Sequence, residues 1–159
     1  MHWPRRAALI AWCLGAALLG VASCTSVVPE ALRGEVDRGL TYAQLAQDPD
    51  GYRGRMVVVG GEVLRVQPTG RDLELRLTER PLSPLDQSPM LGRASGGDVV
   101  VQVPGAARAE FREGFAVTVV GVVLGRESAE DPASAPRLEA RHIQVWPAGA
   151  AQVPARPQW

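Results

Sequence analysis

Lysine is absent from this sequence, cysteine occurs twice, histidine twice, and aromatic residues make up 5% of the chain. Each scarcity closes off chemistry. Without lysine there is no Gly-x-x-x-x-Gly-Lys phosphate loop, so Gly60-Gly61 is not one. All 17 basic residues are arginines, balanced by 17 acidic ones, which gives a phosphate-rich partner no excess of positive charge to meet. The few aromatics beyond the N-terminal stretch (Tyr42, Tyr52, Phe111, Phe115, Trp146, Trp159) make no stacking platform for nucleic acid. His142 and carboxylates alone are a poor zinc set, and no metal site is expected. Asp48 and Asp50 flank Pro49 without the regular run of oxygen ligands a calcium loop needs; they read as a helix end and a turn.

What is present begins at the N-terminus. Arg5 and Arg6 precede an apolar stretch from Ala7 to Val21, and small residues follow. A cationic start, ~15 apolar residues and a small-residue cut site are the parts of an export signal. The stretch is short for a membrane span, which wants ~20 apolar residues. Val21-Ala22-Ser23-Cys24 resembles a bacterial lipobox, cut between Ser23 and Cys24 with lipid added to the cysteine. On this reading residues 1–23 are a signal peptide that takes Cys13 with it. Cys24 is then the only thiol, carries the covalent lipid, and leaves no disulfide or cysteine-metal cluster possible. Residues 24–40 are expected to be lipidated terminus and linker. Extended at ~3.5 Å per residue, the linker would reach roughly 50 Å from the bilayer.

Next, Thr41 is a plausible N-cap for a short helix over Thr41–Gln47, with Tyr42, Leu45 and Ala46 on one face. Strands are expected at Met56–Val66, Asp72–Arg80, Asp98–Val103, Phe115–Leu124 and Leu138–Trp146. The second alternates cleanly, Leu73, Leu75 and Leu77 against Glu74, Arg76 and Thr78. Gly60-Gly61 marks a bulge or sharp bend in the first strand, Pro68-Thr69-Gly70 a turn, and the phase slip after Ala140 a bulge near Arg141-His142. Pro81–Gly97 and Glu127–Pro136 read as loops, Pro104–Arg112 as ambiguous, and residues 148–159 as a disordered tail. Gly54, Val57, Val59, Gly61 and Val63 recur sixty positions later as Gly114, Val117, Val119, Gly121 and Val123. This is either an internal repeat or the common look of two bent valine-rich strands. Either way both strands bend at a glycine, as closing a small sheet requires. Gly54, Gly60, Gly61, Gly114 and Gly121 are therefore taken as structural glycines. The expected fold is all-β, a five-stranded OB-like barrel over residues 41–147 with one short N-terminal helix.

An ordered set of short segments carries a family resemblance. Val28-Pro29-Glu30, Tyr52-Arg53-Gly54 and Val59-Gly60-Gly61-Glu62-Val63 come first. Leu73-Glu74, Arg80-Pro81-Leu82 and Gly92-Arg93 continue it, and Glu113-Gly114, Val117–Gly121 and Ile143-Gln144-Val145-Trp146 complete it. Together they resemble the Slp family of outer-membrane lipoproteins, named for a starvation-inducible member. The resemblance implies a palmitate-bearing protein on the periplasmic face of the cell outer membrane, with no catalytic activity or cofactor. Thr25, in place of the aspartate that retains many lipoproteins at the inner membrane, agrees. The family's aromatic-rich segment after Gly92-Arg93 is reduced here to Ala94-Ser95-Gly96-Gly97, and its stretch before the last strand is replaced by Ser128–Pro136.

Catalytic readings fare poorly. His142 with Ser83 or Ser88 and Asp86 or Asp98 could compose a triad, but no Gly-x-Ser-x-Gly elbow positions a nucleophile. Glu74 and Glu79 have opposite parity on one strand and cannot face one glycosidic bond. The expectation is a non-enzymatic domain in envelope maintenance or stress response, meeting an envelope protein or polymer. The alternative is a periplasmic module that binds an oligosaccharide or peptide on the barrel face.

Overall fold

One long strand governs the architecture. In the computed structural model, which describes residues 26–106 and 110–146, strand β1 spans Met56–Thr69, 14 residues. Straight, at ~3.3 Å per residue, it would reach about 45 Å. It bends instead. Its first half pairs with β4 (Ala116–Arg126) and its second half with β2 (Asp72–Glu79). Strand β3 (Asp98–Val103) lies antiparallel to β2 and parallel to β5 (Pro136–Trp146), and β5 returns to β4. The order β1-β2-β3-β5-β4 closes into a barrel, the five-stranded OB-like architecture expected.

Inward parity fills the barrel with Val57, Val59, Val63, Leu75, Leu77, Val99, Val101, Val117, Val119 and Leu138. Apart from Glu79 at one end of β2, the charged side chains of the strands face out, the reverse of a pore-forming membrane barrel. No helix among the described residues is long and apolar enough to cross a membrane. Helix α1 (Tyr42–Gln47) is set by a capping box: the Thr41 hydroxyl accepts from the Gln44 N–H, and the Gln44 side chain accepts from the Thr41 N–H. It buries Leu45 in the core, with Tyr42 packed beside it. Phe111, between β3 and β4, is also buried in the core.

The sixty-residue echo has a structural counterpart. The two copies pair with one another about Val59↔Val119, so that Val57 faces Gly121 and Gly61 faces Val117. Gly54 and Gly114 share a left-handed backbone, φ 81° and 84°. The Gly54 N–H donates to the Val123 carbonyl at 2.9 Å, and the Gly114 N–H to the Val63 carbonyl at 2.8 Å. One residue past each segment the register slips, at Leu64 on β1 and at Leu124 on β4. The two segments are related by a local two-fold axis.

Several expectations need correction. Pairing runs unbroken through Gly60-Gly61, and the bulge in β1 lies at Leu64. The glycines serve close approach: a Cβ on Gly61 would stand 2.8 Å from the Thr78 carbonyl oxygen, and one on Gly121 2.9 Å from that of Glu139. Pro68 and Thr69 belong to the strand, with Gly70 (φ 66°) making the turn. The bulge expected in β5 near Arg141-His142 is present, with Arg141 the extra residue: Val120 faces His142 while Gly121 faces Ala140.

The largest departure is N-terminal. Part of the segment expected as free linker packs on the barrel: Val27 and Val28 are buried, and Glu30–Leu32 forms a 3-10 turn. Val28, Leu32 and Val36 cover Met56, Val58, Val120 and Val122 on the outer face of β1 and β4, and the Asp37 N–H donates to the Met56 carbonyl. The expected signal peptide over residues 1–23, Cys24 and the expected tail over residues 148–159 lie outside the described residues, as do Ala107 and Ala109 of the ambiguous stretch.

Candidate functional site

Five-stranded barrels of this type commonly present a ligand face on β2 and β3, flanked by the β1–β2 and β4–β5 loops. Here the outward side chains of that face are charged and answer one another. Arg137 pairs with Glu74 at 2.9 Å, and Arg76 with Glu127 and Asp98. The carboxylates around Arg76 hold its guanidinium above the usual arginine range. Asp50 locks the neighbouring corner by accepting from Arg53, from the Arg126 side chain and from the Arg126 N–H. Arg53 in turn holds the Asp50 carboxyl below its ordinary range. A face whose charges are already paired has little to offer an oligosaccharide or an anion.

At the end closed by α1, Glu79 continues the inward parity of Leu73, Leu75 and Leu77 and is buried. Its carboxylate accepts the Gly96 N–H at 2.7 Å, yet burial pushes its pKa up. The Tyr42 hydroxyl donates to the Asp98 carbonyl at 2.6 Å, and burial, with the nearby Glu79 and Asp98, raises its pKa to about 12. Gly96 and Gly97 lie against the Tyr42 ring, where a Cβ on Gly96 would come 2.7 Å from it. The Gly96-Gly97 segment thus wraps a tyrosine supplied by the helix. Two acids and a phenol gather here, beside an open cleft of about 540 Å³ lined by Tyr42, Arg76, Gly96, Gly97, Asp98 and Glu127 among others.

The residues singled out from sequence are scattered. Ser83, Ser88 and Asp86 meet in one loop, where Asp86 accepts from the Ser88 N–H and hydroxyl and is held below its ordinary range by them. His142 sits on β5 opposite Val120 and takes no part. Asp98 is engaged elsewhere with Arg76 and Tyr42. Glu74 and Glu79 occupy opposite faces. Asp48 closes α1 and accepts the Gly51 N–H. Among the described residues no three histidine, cysteine, aspartate or glutamate side chains gather to hold a metal.

The feature missed from sequence is the order within the expected Pro81–Gly97 loop, in its Pro81–Leu91 part. Leu82 bridges Pro89, the Ser83 N–H donates to the Ser88 carbonyl, and the Thr118 hydroxyl donates to the Gln87 carbonyl, which fixes a rigid ring of chain on the barrel. Gln87 takes a left-handed backbone (φ 61°) to make the turn. At its tip Leu85 is 94% exposed. The signal available in the sequence was a leucine between Pro84 and Asp86, outside any alternating pattern. Beside the loop lies an open cleft of about 400 Å³, lined by Ser26, Val28, Arg38, Val58, Leu82 and Gln87 among others.

Comparison with known proteins gives one family. The family model described as the outer membrane lipoprotein Slp family matches residues 21–159. No curated protein matches. Among solved structures, the chain is similar to an OBody, AM3L09, bound to hen egg-white lysozyme, at 17% identity over 67% of this chain and 92% of that one, with a TM-score of 0.43.

Proposed function

The chain belongs to the outer membrane lipoprotein Slp family, and on that premise we propose that it is a non-enzymatic domain tethered through Cys24 to the periplasmic face of the outer membrane. Residues 1–23 act as the signal peptide, cleavage falls between Ser23 and Cys24, and the new N-terminus carries the acyl chains. One chain alone binds a membrane marginally, at about 0.8 kcal/mol per buried methylene, and the two or three typical of bacterial lipoproteins hold firmly. The domain then works in envelope maintenance or stress response by contact with an envelope protein or polymer.

The observation that carries this reading is the spacing at the N-terminus: the lipobox-like Val21–Cys24 ends three residues before Val27, the first buried residue of the barrel domain. The self-paired charges on the β2–β3–β5 face, and the lack of aromatics in the Pro81–Gly97 loop, favour it over a carbohydrate- or peptide-binding module. Labelling with palmitate and density-gradient fractionation of wild type and Cys24→Ala test it. Label on wild type in the outer-membrane fraction, lost in the variant, is the expected result. Unlabelled wild type in the soluble fraction overturns the reading.

A further inference from the structure

We propose that Leu85 and its loop dip into the phospholipid surface beside the tether, so that the barrel is held on the membrane in one fixed orientation. This rests on the Cys24 tether proposed above. The packed N-terminal segment removes most of the linker. Ser26 lines the same cleft as Leu82 and Gln87, and Cys24 precedes Ser26 by two residues. At 3.8 Å between successive Cα atoms, the lipidated residue is held within about 8 Å of Ser26. The bilayer surface therefore meets the molecule on the side of the barrel where the Pro81–Leu91 loop stands.

That loop is built to present its tip. Gly60, outward on β1, has no side chain, and the Leu82 methyl sits 2.4 Å from where its Cβ would be. The Leu82–Pro89 bridge and the Thr118–Gln87 bond hold the base, and Asp86 turns its carboxylate inward onto Ser88. The one large side chain left in solvent is Leu85, 94% exposed. Arg38 lines the neighbouring cleft beside Asp37, whose carboxylate is engaged by Arg55. A single leucine is far too small to make a specific protein interface, which takes ~800 Å² per partner. A lipid surface needs no complementary shape. The tether supplies a high local concentration of membrane, so a weak insertion suffices to orient the domain.

The scarcity of cysteine makes the test direct. In the mature lipidated chain, Leu85→Cys introduces the only free thiol, which takes a polarity-sensitive maleimide fluorophore. The protein is placed on vesicles of phosphatidylethanolamine and phosphatidylglycerol, with and without a lipid-borne quencher. Arg71→Cys is the comparison site, in the exposed β1–β2 turn at the far end of β1 from Val58. A blue shift and loss of emission at position 85, with neither at position 71, is the expected result. Protein that floats with the vesicles while position 85 stays in water overturns this inference and leaves the tether standing. Wild type that carries no acyl label removes the tether and this inference with it.

Discussion

The β1 segment Gly54–Leu64 and the β4 segment Gly114–Leu124 share a backbone and differ in company. Both begin on a left-handed glycine, both carry valines inward, both pass a partner carbonyl too closely for any side chain, and both slip register at a leucine. Their neighbours diverge at two positions. Outward, Gly60 seats Leu82 and its loop, whereas the equivalent Val120 is covered by Val28 and Met56. Inward, Gly61 faces the buried Glu79, whereas Gly121 faces Ala140. The shared residues close the barrel. The divergent ones carry the features a barrel does not need: an exposed apolar tip and a buried acid.

If the two-fold relation governs closure, equivalent substitutions carry equivalent costs. Gly61→Ala and Gly121→Ala each force a Cβ to within 3 Å of a backbone oxygen that is fixed in a strand. Overpacking of this kind costs about 1–3 kcal/mol, and the two variants should match within the error of urea denaturation. A large cost at one site and none at the other breaks the symmetry. Gly54→Ala and Gly114→Ala form a milder pair. Open space surrounds both positions, so the cost is only that of holding an L-residue at positive φ, about 1–2 kcal/mol. Thermal melts of the two should again coincide.

Much of this architecture was legible because it repeats with period two. Leu73, Leu75 and Leu77 announced β2, Asp98–Val103 announced β3, and the phase slip after Ala140 announced the bulge at Arg141. The same slip exists in β1, where inward Val63 is followed by inward Val66, and the paired glycines drew attention away from it. The packed N-terminal segment escaped for a different reason. The apolar residues by which it covers the outer face are Val28, Leu32 and Val36, a spacing of four without the length to read as an element. Its role depends on an outer face of β1 and β4 that no local pattern describes. Leu85 escaped because exposure belongs to the folded chain: a lone leucine in a proline-rich loop has no periodicity to betray it.

The smallest effect probes the inward divergence. Glu79 accepts the Gly96 N–H, but burial outweighs that bond and raises its pKa above the ordinary carboxylate value. A carboxyl whose folded pKa exceeds its unfolded one binds its proton more tightly when folded. The stability it supports is fully present below the unfolded pKa, near 4.5, and is lost as pH rises through the folded pKa. Glu79→Gln keeps an acceptor for Gly96 and never ionises. At pH 4 and below, the variant and wild type should unfold at the same urea concentration. As pH rises through the raised folded pKa, wild type should lose stability relative to the variant. Ala140, at the matching position, has no proton to exchange, so the pH response belongs to the β1–β2 half alone. A variant less stable than wild type at neutral pH would show instead that the carboxylate is bound in its charged form, by Gly96 and Arg80, more strongly than burial opposes it.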